Sequence, residues 1–592
     1  MPVADRSKPR NKKKSPAVRK SKKVTVKFQQ FPRFVLDDDG IYAYSRRDGW
    51  ERIASCVSVL AQTRDGAGEN WGRLLQWEDS ERKQHKWTVP MDLLSAEPAK
   101  VRAHLVRNGL PYISNKPGHR AQFAEYLMSA PVGQRIRSVS KVGWSGRTFV
   151  LFDRVVSPDG QEETVYQQMA NVAHWGIRGS LEEWRANVGR PCSGNSRLLF
   201  AASCAFAGPL LKLIDAESGG FHFHGLTSSG KTTTLQTAGS VLGGGGPNGF
   251  LQTWRATANA LEVVAESHHH ATLILDELSQ VNPAEAVDAA YLLGNGFGKS
   301  RLNGNANARQ TSAWDLLFLS AGEMTLATHA ATAGKRTRGG AEIRLINLSA
   351  DAGQEYGVFE NLHGFSSADD FARALKANAL QYHGTAFQKF VEILVSKRKS
   401  TRRILLSYQE KFRRLYVPIN ATGEVRRAAD RFALVAVAGE LATRWEITGW
   451  SKKEALRAAT RCFREWLAAH GQSGSADLER AIGRVQQLIE SGESRFTLLG
   501  SDAQSAIDIP DRAGFVRSAG RSGRKEFLIL PYIFRQMCDG VSPQAVAREL
   551  ERRGHLRRTP PHFPVKERLP GFSNSIRVFC VRDSLLHEHN DI

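Results

Sequence analysis

Gly225-Leu226-Thr227-Ser228-Ser229-Gly230-Lys231-Thr232 is a complete GxxxxGK[ST] phosphate loop, and the fold is read outward from it. Successive backbone N–H groups of such a loop face phosphate oxygens, Lys231 reaches the β- and γ-phosphates, and the Thr232 hydroxyl ligates Mg²⁺. Glycine at both ends permits a backbone path that a Cβ would obstruct, and the following helix turns its positive N-terminal end toward the anion. Phe221-His222-Phe223-His224 reads as a strand entering the loop, and Thr233 to Leu242 as a helix that stops at Gly243 to Gly246. Nucleotide binding is therefore expected at these eight residues together with Thr233, with ATP and Mg²⁺ as cofactors.

Working outward, Thr272-Leu273-Ile274-Leu275 is an apolar run suited to a central parallel strand, and it ends in Asp276-Glu277. In open α/β sheets the carboxyl ends of the strands line the ligand crevice, so this pair is expected to face the triphosphate. Asp276 is expected to hold Mg²⁺, directly or through water, and Glu277 to polarise the attacking water. A third apolar run, Leu316 to Leu319, leads into Ser320-Ala321-Gly322-Glu323. Its tip is expected between the other two strand ends, where Ser320 senses the γ-phosphate by hydrogen bonding, with Glu323 as a lesser candidate. Farther on, Gly334-Lys335-Arg336-Thr337-Arg338-Gly339-Gly340 precedes an expected strand from Glu342 to Leu348. Arg336 or Arg338, ahead of Arg344, is expected to complete a neighbouring subunit's site by stabilising phosphoryl-transfer charge. The competing reading of this segment is a solvated basic loop.

Taken in order, FHFHGLTSSGKTTTL, TWRATANALE, LILDELSQ, YLLGNGFGKSRLNG, LLFLSAGE and AGKRTRGGAEIRLINLSAD resemble the bacterial domain-of-unknown-function 927 family. The likeness spans about Phe34 to Leu362 and is most specific from Gly219 to Asp351. That family is similar to AAA+ ATPases of the superfamily 3 and MCM-like helicase kind, found on phages and integrated mobile elements. The resemblance implies a ring-forming, hexameric DNA motor in replication. It carries phosphate binding to Gly225, Gly230, Lys231 and Thr232, Mg²⁺ and water to Asp276 and Glu277, sensing to Ser320, and the finger to Arg336 or Arg338. Helicases of superfamily 3 usually place Asn where Ser320 stands. Asn282-Pro283 opens a helix to about Leu293, after which Gly296 to Gly304 reads as a hairpin with cations between glycines. In helicases of the resembled kind such an insertion grips single-stranded DNA in the central channel, which would assign Lys299 and Arg301 to the backbone. A plain surface turn is the alternative.

The 592 residues carry 82 Lys+Arg against 59 Asp+Glu, a net charge of +23, so the chain attracts polyanions. Residues 1–27 hold eleven basic residues and one acid, +10 of that total, without an apolar block; they read as a disordered tail, neither signal nor anchor. The remaining +13 makes the body basic in its own right, and salt-dependent binding to phosphate backbones is expected. No run of eighteen apolar residues offers a membrane span, and six scattered cysteines without CxxC spacing suit reduced thiols in the cytoplasm. His268-His269-His270 reads as surface.

The length exceeds what one core sustains. The expected architecture is α/β: a P-loop core of the AAA+ kind at 186–350, preceded by an α+β module at 28–185. A helical lid or connector at 351–472 and a winged-helix-like domain at 473–592 follow. In the last, Ser542-Pro543 opens a capped helix to about Arg553 whose Arg548, Arg552 and Arg553, with Arg557 and Arg558, suit DNA contact or merely a wet basic face. The leading functional expectation is a DNA-stimulated ATPase acting as a helicase. The alternative is a nucleotide-controlled loader or regulator that uses the same pocket without unwinding. A primase would need its own carboxylate cluster, and Asp37-Asp38-Asp39 before Gly40 looks like a turn.

Overall fold

The computed structural model describes residues 29–31, 33–167, 175–246, 249–299, 312–335, 339–419, 421–491, 493–500, 511–519, 524–539 and 541–587. The fold is mixed α/β, and the chain divides into two compact units, 1–171 and 172–592.

Alternation builds the first unit. Val57–Arg64 is buried at every other residue, the period-two signature of a strand with one face on a core. It lies inside a five-stranded mixed sheet ordered Thr164–Tyr166, Arg135–Val139, Val57–Arg64, Gly72–Glu78, Gln84–Pro90. A second, antiparallel sheet runs from Gln29 to Ala54. Phe34, Ile53, Leu75, Leu105 and Phe123 share one core between these strands and the helices Pro98–Arg107 and Pro117–Ser129.

Near-continuous apolar runs instead build the second unit's central sheet, as expected when both faces are covered. Its strands are β1 (Gly219–His224), β2 (Leu251–Thr253), β3 (Thr272–Asp276), β4 (Leu317–Gly322) and β5 (Leu345–Ser349), all parallel, in the order β2-β3-β4-β1-β5. The strand entering the phosphate loop and the strand ending in acid are thus separated by β4. Helix α1 (Ser196–Ala207) is buried along its whole length and sets Phe200 edge-on to Phe221, centroids 4.9 Å apart. Each such ring contributes roughly 1.5–3 kcal/mol by leaving water. Ser196–Leu213 is the one described segment long and apolar enough to cross a membrane, and 94% of it is buried in this core.

Two glycines open β1 for a reason visible in the packing. A Cβ on Gly219 would lie 2.2 Å from the Arg431 guanidinium, and one on Gly220 2.5 Å from the Phe318 ring. The space lets buried Arg431, from helix Gly423–Arg444, donate to Ile343 O at 2.6 Å and Ser218 O at 3.3 Å. A helical block therefore grips the sheet from the end opposite the phosphate loop. The block comprises helices Ala368–Gln381, Thr385–Ser396, Arg398–Tyr416, Gly423–Arg444 and Glu454–Ser491. Beyond it, strands Gly514–Ala519, Arg524–Ile529 and Ile576–Arg582 pack with helices Pro531–Cys538 and Pro543–Arg552 around Phe515, Phe534, Leu550 and Val578.

Two expectations from the sequence are corrected. The segment expected as a strand from Glu342 is a short helix, Gly339–Arg344, and β5 starts only at Leu345, where burial on both faces begins. The histidine run is not surface: His268 is fully buried and His270 nearly so, because the turn they form leads directly into β3 under Trp175 and Phe250.

Candidate functional site

The phosphate loop runs from β1 into helix α2 (Lys231–Leu242), with Gly230 as the N-cap at φ +89°. A Cβ on Gly230 would meet Val358 Cγ2 at 2.5 Å, so both conformation and close approach require glycine there. Val358 N–H donates to Ser229 O at 2.9 Å, and Ala350 N–H to His224 O at 2.8 Å; the chain after β5 is the loop's floor. Leu226, Thr227 and Ser228 are exposed at the rim, whereas Thr233 is buried on the inner side of α2.

Lys231 lies folded over its own loop. Its ammonium donates to Gly225 O at 2.9 Å, Leu226 O at 2.6 Å and Ser229 Oγ at 3.4 Å. Burial pushes its pKa down, while the charges of Glu323, Glu277 and Asp276 push it back up, which places all three carboxylates around one cation. Asp276, at the end of β3, is raised by burial and partly restored by a hydrogen bond from the Thr232 hydroxyl and the backbone N–H of Glu277. The loop hydroxyl of Thr232 and the strand-end carboxylate of Asp276 thus lie near enough for the hydroxyl to favour the charged carboxylate. This donor set, hydroxyl plus carboxylate with further oxygens from phosphate, suits a hard cation such as Mg²⁺.

Glu277 leaves the strand in the left-handed region, φ +58°, and accepts from the Ser279 hydroxyl. Glu323, just past β4, accepts from the Thr227 hydroxyl, so the β4 tip touches the loop. Ser320 does not reach that tip. The strand continues two residues further, to Gly322, and Ser320 is fully buried within the sheet.

Its hydroxyl belongs to a chain with only one possible proton order. Trp254 Nε1, a donor only, gives to Ser320 Oγ at 2.8 Å, so Ser320 gives to His222 Nδ1 at 3.0 Å, and His222 Nε2–H gives to Met324 O at 2.9 Å. The chain ties β1, β4 and the chain end of β2 to the residue after Glu323. The repeated pattern of apolar runs carried no sign of it; Trp254 lies in the quoted TWRATANALE segment, and a lone tryptophan there reads equally well as core.

Burial lowers His222 to about 4 and His268 to about 4, so both are neutral in the folded protein at neutral pH. Both pKa values lie below the unfolded value near 6.5, so the unfolded chain binds the extra proton between pH 6.5 and 4. Their contribution is fully present above about pH 6.5 and is lost as pH falls toward 4, at roughly 1.4 kcal/mol per pH unit per histidine. Denaturation midpoints measured from pH 7.5 to 4.5 are expected to fall with acid, and His222→Gln is expected to flatten that slope. An unchanged slope in the variant would remove His222 from the account.

Of the remaining sequence candidates, Lys299 is exposed, with its backbone N–H on Glu262 Oε1 at 3.1 Å, and follows an isolated pairing of Phe297 with Ala313. Arg301, Arg336 and Arg338 lie outside the described residues. Arg344 is engaged locally, donating to Asn295 Oδ1 at 2.9 Å and stacking over Tyr291. In the C-terminal part four of the five arginines considered for DNA are held by acids, Arg552 and Arg553 by Glu549, Arg553 also by Glu479, Arg557 by Glu567 and Arg558 by Glu551, while Arg548 is exposed on helix Pro543–Arg552.

Residues 34–313 match the model of the family described as Domain of unknown function (DUF927), which bears out the resemblance read from the motifs over that stretch. Among solved structures, the chain is similar to one titled SCCmec type IV Cch, active helicase, with a TM-score of 0.67 at 16% identity, covering 94% of this chain and 99% of that one. A second, the A-form apo structure of the NrS-1 C-terminal region, superposes with a TM-score of only 0.25 at 9% identity, over 66% of this chain and 88% of that one. No curated protein matches the chain. The fold is therefore similar, nearly end to end, to that of a solved helicase.

Proposed function

We propose that this protein is an ATP-dependent DNA motor, a helicase acting in replication of a mobile element, built on a P-loop core of the AAA+ kind. The placement of the loop after β1 and of Asp276 at the end of β3, at the same edge of one parallel sheet, carries the reading, because it sets a phosphate loop beside a strand-end acid. The strand order supports it, since β4 lies between the loop strand and the acidic strand. In this reading residues 225–233 bind ATP, Thr232 and Asp276 hold Mg²⁺, and Glu277 activates water. Glu323 takes over the contact at the β4 tip that the sequence suggested for Ser320, which acts from beneath through His222. Arg336 or Arg338 is proposed to complete the neighbouring subunit's site in a hexamer, and Lys299 with Arg301 to contact single-stranded DNA in its channel. The C-terminal part is proposed as a winged-helix-like domain. The similarity to an active helicase in fold supports the choice of motor over other uses of the same pocket.

The test is steady-state ATP hydrolysis by the wild type and Lys231→Ala, with no nucleic acid, single-stranded DNA, duplex DNA or RNA. Turnover that requires Lys231 and rises severalfold with single-stranded DNA is the expected result. Turnover indifferent to every nucleic acid would favour a nucleotide-controlled loader or regulator and sink the motor reading.

A further inference from the structure

Helix Arg398–Tyr416 concentrates charge in a way its own fold does not repay. Within its first six residues stand Arg398, Lys399, Arg402 and Arg403 with no acid among them. The N-terminal end of a helix already carries about half a positive charge, so cations there are unfavourable, and Lys399/Arg403 is a like-charge pair at i,i+4 spacing. Thr401, Leu405 and Phe412 turn inward and fix which face is wet. At 100° per residue, Lys399, Arg403 and Arg414 fall on the opposite side, flanked by Arg402 and Lys411.

All five are exposed, and none makes a hydrogen bond, ion pair or ring contact among the described residues. Glu410 is the sole acid on the helix. By contrast Arg413, at the margin of the packed face, is held by Asp430 through two hydrogen bonds, and Arg552, Arg553, Arg557 and Arg558 are held by glutamates. Five exposed cations without an acidic partner among the described residues thus share one face of a single helix. From Lys399 to Arg414 it runs about 22 Å along the helix, enough to follow several successive phosphates of one strand.

We propose that the exposed face of helix Arg398–Tyr416 is a DNA-backbone contact surface, separate from the segment after Lys299. The choice of DNA as the polyanion rests on the motor reading, while the charge and geometry of the face do not. Such a surface positions a strand without reading its sequence, since phosphate contacts require charge and reach rather than base recognition.

The experiment measures DNA binding of the full chain by fluorescence anisotropy across a salt series, for the wild type and for the Lys399→Gln/Arg402→Gln/Arg403→Gln/Arg414→Gln variant. Glutamine keeps stem length and helix propensity, and helical content and DNA-free ATP turnover are followed as controls. The expected result is at least tenfold weaker single-stranded DNA binding at fixed salt, with a salt slope shallower by about 0.7 for each phosphate contact removed, and DNA-free turnover unchanged. A photoreactive residue at Ser407, in the middle of the wet face, is expected to crosslink to the bound strand. Unchanged affinity and slope, or a shift in oligomeric state in their place, would overturn the proposal, the latter assigning the face to subunit contact. Weaker binding by the glutamine variant of a chain that hydrolyses no ATP would leave this surface standing and the motor reading fallen.

Discussion

Lys231→Ala is expected to lower ATP turnover by roughly 10²–10³-fold or more, since charge stabilisation of the transferring phosphoryl group is the main catalytic term. The expectation follows from where the ammonium lies. Lys231 is buried to 8% exposure, surrounded by Asp276, Glu277 and Glu323, and its hydrogen bonds end on two loop carbonyls and one hydroxyl. Those acceptors face an open rim where water replaces a lost donor, so the fold is expected to lose only about 1 kcal/mol. Phosphate oxygens have no comparable substitute, because the ammonium carries full charge into a partly desolvated site. The measurement is turnover together with titration of a fluorescent ATP analogue and the thermal midpoint of the same preparation. Wild-type turnover in the variant would remove Lys231 from the site, and with it the assignment of residues 225–233.

How far the sequence spoke depended on the kind of signal each residue gives. β3 and β4 were legible because both faces are buried, so Leu273 to Leu275 and Leu317 to Leu319 are unbroken apolar runs, and Asp276 marks where β3 reaches the crevice. The length of β4 was not legible, since Ser320, Ala321 and Gly322 are small enough to end a strand or to be packed inside one. The structure shows the second case, with Ser320 held by Trp254 and His222, and so transfers the exposed position to Glu323. The relay depends on which side chains meet across three strands, a long-range property that periodicity along the chain does not encode. The buried histidines illustrate the same limit: three adjacent imidazoles look polar, yet His268 donates to or accepts from nothing but its own helix end and packs against two aromatic rings. Pairing of charge was not legible either: Arg552, Arg553, Arg557 and Arg558, open in the sequence to DNA contact or a wet face, are held by glutamates, whereas Lys399, Arg402, Arg403, Lys411 and Arg414 are exposed on helix Arg398–Tyr416.

Glu277→Gln is expected to separate binding from chemistry. The side chain projects from a left-handed backbone position, φ +58°, costing about 1 kcal/mol for a residue with a Cβ, and that geometry takes it off the line of β3, at whose end Asp276 stands. Glutamine has the same volume, and its carbonyl oxygen still accepts from Ser279, so the turn is expected to hold. What disappears is the carboxylate proposed to accept a proton from the attacking water, a role worth roughly 10²–10⁴ in rate. Nucleotide affinity is expected to stay within about twofold, or roughly 0.4 kcal/mol, because metal and phosphate contacts are intact. Asp276→Asn offers the contrast: there the Mg²⁺ dependence of binding is expected to vanish along with turnover, since the lost charge is the one proposed to hold the metal. Single-turnover hydrolysis and equilibrium titration of the two variants distinguish these roles. If Glu277→Gln turns over as fast as the wild type, water activation passes to Glu323, the other carboxylate beside Lys231 at the rim, and Glu323→Gln then becomes the variant expected to bind ATP without cleaving it.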